Sequence, residues 1–275
     1  MRLYDRVVPA WAGSAAQADI PHIPHIPHIP LGAHVATATS IPAQAVLKKH
    51  PIFAGVCVAC LWMPVLSWAG GAEFALRWSS GGPASAEEAV AVMGLEGGRK
   101  VTEYEVEYFT VLAPPVSTDP PAIGRRRTRS DGKVELTLKY RSPRAFDSGF
   151  DTEAACALGK NTSVKQETDI SVLGTLQPSR AYSISCEREA KKTLDFPEAM
   201  RAKSMGCGNR MKRVAVGTFK VEEWQLPQGR LLEVSMPGSD TPQDLALFIA
   251  KIKPLLDKGV VVVDRSKTQA GSGCS

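Results

Sequence analysis

The sequence predicts an α+β fold in which about eight or nine mostly antiparallel strands form a barrel or curved sheet, with two or three helices packed outside. Three observations carry this. Ile123–Arg141 reads as two strands joined by Ser130-Asp131-Gly132-Lys133, and Asp-Gly is well suited to the positive φ a hairpin turn requires. Lys100–Leu112 alternates strictly, with Glu103, Glu105 and Glu107 on one face and Tyr104, Val106 and Tyr108 on the other. Several further strands place ionic side chains on one face and apolar ones on the opposite face, as expected of a sheet curved around a polar lumen.

Composition narrows the chemistry. All five histidines lie before residue 51, and from Pro51 onward there is none. If the N-terminal segment is removed, imidazole triads, Cys-His nucleophiles and His-ligated zinc are excluded from the body, which leaves carboxylates, cations, hydroxyls or a hard metal. From Glu73 onward 29 Lys and Arg stand against 26 Asp and Glu, a mildly basic balance that gives no argument for nucleic acid.

Taken in order, residues 1–47 contain three Pro-His-Ile repeats from Pro21 to Ile29 and read as disordered low-complexity chain. A histidine-rich metal tail and a translation start placed too far upstream are the other readings. Residues 48–72 have the three parts of a secretory signal: Lys48-Lys49-His50, the apolar run Ile52–Ala69, and small residues that set cleavage after Ala69 or Ala72. This predicts a periplasmic or secreted protein, the other reading being an uncleaved anchor through 52–69. Export favours disulfides, and the pairing is expected among Cys156, Cys186 and Cys207, with Cys274 the most apt to stay free.

The domain itself is expected over 73–268, with 269–275 a flexible tail. Glu73–Trp78 reads as a strand, and Ser85-Ala86-Glu87-Glu88 starts a helix ending near Leu95. Ala113–Ala122, rich in proline, is a linker, and Ser142–Asn161 a long loop; Asn161-Thr162-Ser163 fits the glycosylation triplet. Val164–Leu173 and Ala181–Glu187 form a second hairpin, with Lys165, Glu167 and Asp169 sharing a face. Leu194–Met205 is expected to be a short helix. Arg210–Val216, Gly217–Trp224 and Arg230–Met236 are strands, Thr241–Leu256 an amphipathic helix, and Gly259–Val263 a terminal strand.

The ionic faces mix cations with carboxylates. Guanidinium and ammonium groups hold phosphate oxygens, while carboxylates hold Mg²⁺ or Mn²⁺ that in turn neutralises phosphate. Arg125-Arg126-Arg127 followed by Glu135-Leu136-Thr137-Leu138-Lys139 resembles the arginine-rich strand, turn and Leu-Thr-x-Lys strand of the CYTH, or triphosphate tunnel metalloenzyme, superfamily. Glu73-Phe74-Ala75-Leu76-Arg77 is similar to its opening Glu-x-Glu-x-Lys strand, Glu167-Thr168-Asp169 to its acidic strand and Lys212-Arg213-Val214 to its later basic strand. Gly217-Thr218-Phe219 and Glu233-Val234-Ser235 resemble its late elements.

The resemblance implies an antiparallel eight-stranded tunnel-like barrel that takes triphosphates with a divalent metal. By position it implies that Arg125, Arg127, Lys139 and Arg213 bind phosphate. Glu73, Glu135, Glu167, Asp169 and Glu233 would hold Mg²⁺ or Mn²⁺. Two positions depart, since Ala75 and Ser235 stand where glutamates belong. The expected partner is a small polyanion and no nucleic acid; a membrane enters only if 52–69 is retained. Metal-dependent triphosphate hydrolysis is the catalytic expectation, and the alternative is a non-catalytic domain whose inward charges pair with one another.

Overall fold

A computed structural model describes residues 71–273. The low-complexity segment, residues 48–70 of the expected signal and Cys274 lie outside the described residues, while Gly71 and Ala72, the last two residues of that expected signal, belong to the first described strand. Among those described, no helix is long and apolar enough to cross a membrane.

Strand β1 (Gly71–Ser80) is followed by helix α1 (Ala86–Val92), capped by the Ser85 side chain, and by the long strand β2 (Arg99–Val111). β3 (Ile123–Arg129) and β4 (Val134–Ser142) form the basic hairpin, with Gly132 at φ 83 in its turn, where a side chain would be strained. The four-residue helix α2 (Thr152–Ala155) interrupts the long loop before β5 (Ser163–Val172) and β6 (Pro178–Ala190). A 3-10 turn at Glu198–Met200, β7 (Ala202–Ser204), β8 (Asn209–Val216), β9 (Phe219–Leu226) and β10 (Gly229–Gly238) come next. The chain ends in α3 (Pro242–Asp257), the two-residue β11 (Val261–Val262) and α4 (Lys267–Ser272).

Nine strands close into a ring, in the order β10, β9, β8, β2, β3, β4, β6, β5, β1 and back to β10. The expected count of eight is therefore corrected to nine, with β7 and β11 outside the ring on β2 and β1. The pairing is mostly antiparallel, as expected, but an odd ring cannot alternate direction all the way round. One parallel pair is unavoidable, and it falls between β1 and β5, Gly71 opposite Glu167 and Ala75 opposite Ser171.

The predicted helix over Leu194–Met205 does not form. Its apolar residues have no helical stripe; Leu194 packs on Val134 and Leu136, and Met200 joins a different cluster around Tyr140 and Ile184. Arg201 at φ 48 ends the 3-10 turn, and Ala202–Ser204 then pairs with Phe109–Val111, the stretch of β2 left free where β8 stops at Val106. Residues 269–272, expected from sequence to be part of a tail, belong to α4, where Ser266 and Gln269 form a reciprocal capping box.

Alternation divides each ring strand into an outer and an inner face. Outside, Phe74, Leu76 and Trp78 of β1 with Val221, Leu232 and Val234 are covered by α1 and by Phe248, Ile252 and Leu255 of α3. A second outer patch holds Leu138, Tyr140, Ile184 and Cys186 against Ala155 and Leu158. Here Cys156 and Cys186 are joined in a disulfide that ties the long loop to β6. Gly124 of β3 is needed on this side, since a Cβ there would meet the Phe196 ring at 2.8 Å.

Candidate functional site

The inner faces follow from the register. Glu73, Ala75 and Arg77 of β1 look inward together with Glu233 and Ser235 of β10, because their neighbours Phe74, Leu76 and Val234 are committed to the outer core. By the same reasoning β9 contributes Lys220, Glu222 and Trp224, β8 contributes Met211 and Arg213, and β3 and β4 contribute Arg125, Arg127, Glu135, Thr137 and Lys139. β5 adds Lys165, Glu167, Asp169 and Ser171. On β2 it is the aromatic face, Tyr104, Val106 and Tyr108, that turns inward, and Glu103, Glu105 and Glu107 look outward.

One end of the lumen is apolar and filled. Val106, Tyr108, Met211, Trp224 and Leu231 pack around Ala270 of α4, so this short helix sits against the inner faces of the ring. It is fastened there by Asn209 Nδ2 donating to the Gly271 carbonyl at 2.9 Å and Arg141 to Thr268 Oγ1 at 3.3 Å. Gly271 lets it approach: a Cβ there would lie 2.5 Å from the Tyr108 ring. The rest of the lumen is lined by charge.

Three of the four predicted phosphate-binding cations converge. Arg125 and Arg127 both donate to Glu135 Oε1, at 3.2 and 3.3 Å, and Arg213 lies near them across Tyr104, whose ring is 6.0 Å from the Arg127 guanidinium carbon and 5.3 Å from that of Arg213. Arg125 and Arg127 each keep a buried Nε with no partner. Burial and the nearby charge of Arg125 pull the Arg127 guanidinium below its usual value, a position that an anion would relieve. Lys139 is elsewhere, 3.1 Å from Asp169 and 3.6 Å from Glu167.

The five predicted metal carboxylates divide. Glu73, Glu167 and Asp169 bring one oxygen each within 4.8 Å of one another. Glu135 is held by the two arginines. Glu233 is almost fully buried and accepts from Arg77 Nε at 2.5 Å and from Lys267 Nζ at 2.6 Å. Within the cluster, Glu167 pairs with Lys165 and Lys139, and Asp169 with Lys139, Arg141 and Ser183. Glu73 has no direct hydrogen bond or ion pair among the described residues. Burial alone would raise its carboxyl, but the positive charges of Lys267, Lys139, Lys220 and Lys165 outweigh burial and bring it down to about 2.

Two residues central to this network escape the sequence reading. Glu222 is buried and accepts from Arg213, from Trp224 Nε1 at 3.1 Å and from Lys267 at 3.1 Å. Burial would raise it, yet Lys267 and Arg213 hold it well below the usual carboxylate range. Its alternation with Trp224 is the available signal, masked by the adjacent Glu223. Lys267 enters from α4; burial would lower it, but Glu222 and Glu233 raise it above its usual value. No strand pattern points to it.

No protein-family model and no curated protein matches the chain. Solved structures with a similar path include a conserved hypothetical protein from Pyrococcus furiosus, 14% identical, covering 72% of this chain and 99% of that one at a TM-score of 0.40. A putative adenylyl cyclase from Hippeastrum, described as having a dominant triphosphatase activity, is 14% identical over 72% of this chain and 93% of that one, at 0.44. A putative adenylate cyclase from Vibrio parahaemolyticus is 11% identical over 73% and 98%, at 0.40. At these scores the likeness carries no argument, and function has to be read from the side chains that line the lumen.

Proposed function

We propose that the chain is a CYTH-like domain whose lumen binds a small, multiply charged phosphoryl compound. The observation that carries this is the pair Arg125 and Arg127, two buried guanidiniums that share one carboxylate and keep unpartnered Nε–H groups facing the lumen. Such donors are costly to bury unless an anion meets them. Arg213 stands beside them to take a further oxyanion.

A divalent cation fits the other wall. The donor set at Glu73, Glu167 and Asp169 consists of carboxylate oxygens alone, the ligands that Mg²⁺ or Mn²⁺ prefers. When bound there, such an ion would neutralise phosphoryl oxygens and lower the pKa of a coordinated water. The chain's own residues orient the anion through Arg125, Arg127 and Arg213, and exclude water from one end through the packing of α4. Hydrolysis of a triphosphate is the catalytic form of this reading.

A second reading is favoured by Glu222 and Glu233, both nearly inaccessible and both answered by cations of the same chain. Here the domain is a non-catalytic binding or structural module whose lumen charges serve one another. Export belongs to the proposal in either form. Cleavage after Ala69 retains Gly71 and Ala72, which pair with Glu167 and Thr168, whereas cleavage after Ala72 would remove both pairs.

Calorimetric titration of the full chain with inorganic tripolyphosphate, with and without Mg²⁺ or Mn²⁺, followed by a phosphate-release assay, tests the proposal. Binding lost in Arg127→Met, with the fold intact by circular dichroism, is the expected result. Wild-type protein that takes no tripolyphosphate in any condition would leave only the second reading.

A further inference from the structure

The two departures from the glutamate pattern are neighbours in space. Ala75 of β1 is directly opposite Ser235 of β10, and on the far side of Ala75 stands Ser171 of β5. On the other side of Ser235 stands Lys220 of β9, and beyond it Ala215 of β8. The row Ser171, Ala75, Ser235, Lys220, Ala215 therefore crosses five ring strands on the inner face, with one long side chain among short ones.

Two independent observations show that this row is more than a gap. Ser235 is only 2% exposed, and its hydroxyl has no hydrogen-bond partner among the described residues, while Glu233, two residues before it and on the same face, is fully engaged. Lys220 likewise makes no hydrogen bond or ion pair from its side chain among the described residues, although its positive charge reaches Glu73 across the row. A serine hydroxyl and a lysine on adjacent strands, both without partners among the described residues, are donors with no acceptor supplied there, whereas Ser171 on the other side of Ala75 already accepts from Arg77 at 2.9 Å.

We infer that Lys220 and Ser235 form an added oxyanion subsite, in which a phosphoryl group of the bound polyanion is held directly by Nζ and Oγ rather than through a metal. This rests on the reading of the lumen as a polyanion site, and it deepens that reading by assigning part of the affinity to a metal-free contact. The chemistry is consistent: Ala75 and Ser235 offer no carboxylate ligand for a hard metal, and of the two cations at this wall Arg77 is taken by Glu233 and Ser171, which leaves Lys220 for an oxyanion. A ligand bridging the two walls would meet arginines at one phosphoryl, a divalent cation at another, and Lys220 with Ser235 at a third.

The test is titration of the full chain with inorganic tripolyphosphate in excess EDTA and again in Mg²⁺. The wild type is expected to bind in EDTA, and Lys220→Met to weaken that binding roughly ten-fold or more, the loss of one charge-assisted contact, with Lys220→Arg restoring it. Because Lys220 makes no side-chain bond among the described residues, Lys220→Met should keep the wild-type melting temperature. Ala75→Glu with Ser235→Glu is expected to abolish binding in EDTA and to retain it in Mg²⁺. Wild-type binding that appears only with Mg²⁺, or equal EDTA affinities for wild type and Lys220→Met, overturns the subsite while the polyanion reading stands. No binding in either condition overturns both.

Discussion

Replacing Glu222 with glutamine probes whether the lumen is held together by its charges. The carboxylate is 2% exposed and is shared by Arg213 at 2.7 Å and Lys267 at 3.1 Å. Removing one partner of a buried pair costs about 3–5 kcal/mol, chiefly because the other charge stays buried without compensation. Two circumstances reduce this. The side chains of Arg213 and Lys267 are 21% and 15% exposed, so water reaches both, and Lys267 keeps Glu233 at 2.6 Å. A loss of about 2–3 kcal/mol is therefore expected, which for a domain of this size lowers Tm by roughly 5–10 °C. Differential scanning calorimetry reads it directly, with the outward-facing Glu103→Gln as a control that should not move. The same variant frees Arg213 and leaves Lys267 with Glu233 alone, so saturating tripolyphosphate should raise Tm more in Glu222→Gln than in wild type. A Glu222→Gln protein that melts with the wild type would refute the picture of a buried ionic lumen.

Three further outcomes follow from the same geometry. The Glu73 carboxyl lies below its unfolded value, so its stabilisation is present above the unfolded carboxylate range and is lost as pH falls from about 4.5 toward 2. Tm measured across that window should fall less steeply in Glu73→Gln than in wild type. Removing the Cys156–Cys186 bridge, whose ends are 30 residues apart, by a double change to alanine should cost about 2–5 kcal/mol. Limited proteolysis should then cut within 143–160, and a bridge that held nothing would leave the cleavage pattern unchanged. Gly271→Val would drive a side chain into the Tyr108 ring and lift α4 from the ring; faster hydrogen exchange at the amides of 267–272 is the expected sign, and wild-type protection there would contradict the packing described.

Much of the barrel was legible because its signals are local. Strict alternation in Lys100–Leu112, Asp131-Gly132 in a basic hairpin and the stripe of Phe248, Ile252 and Leu255 each depend on residues within one element. Which face of a strand is inside is not local. On β2 the acidic face was as ionic as any lumen face, yet Tyr104, Val106 and Tyr108 went inward because α4 supplies Ala270 for them to pack on. α4 itself was unreadable, since Lys-Thr-Gln-Ala-Gly-Ser has the composition of a tail and becomes a helix through its capping box and the walls around it. Of the site, the arginines were legible from their density on one strand. The split of the carboxylates into a cluster of three and two held by cations needed the ring register, which sequence spacing does not carry.

The parallel pair between β1 and β5 has a consequence for how the chain reaches its folded state. β1 is the first described strand, yet its two ring neighbours come much later, and its Arg77 waits for Glu233, 156 residues on. Contacts of such separation form slowly, because the loop entropy is spent before any pairing compensates it. Until β5 and β10 arrive, β1 presents two unpaired edges and the bare face of Phe74, Leu76 and Trp78, a template on which another chain could add a strand. The ring removes that hazard only when it closes, so the most exposed interval in the folding of the described domain is set by its first described strand.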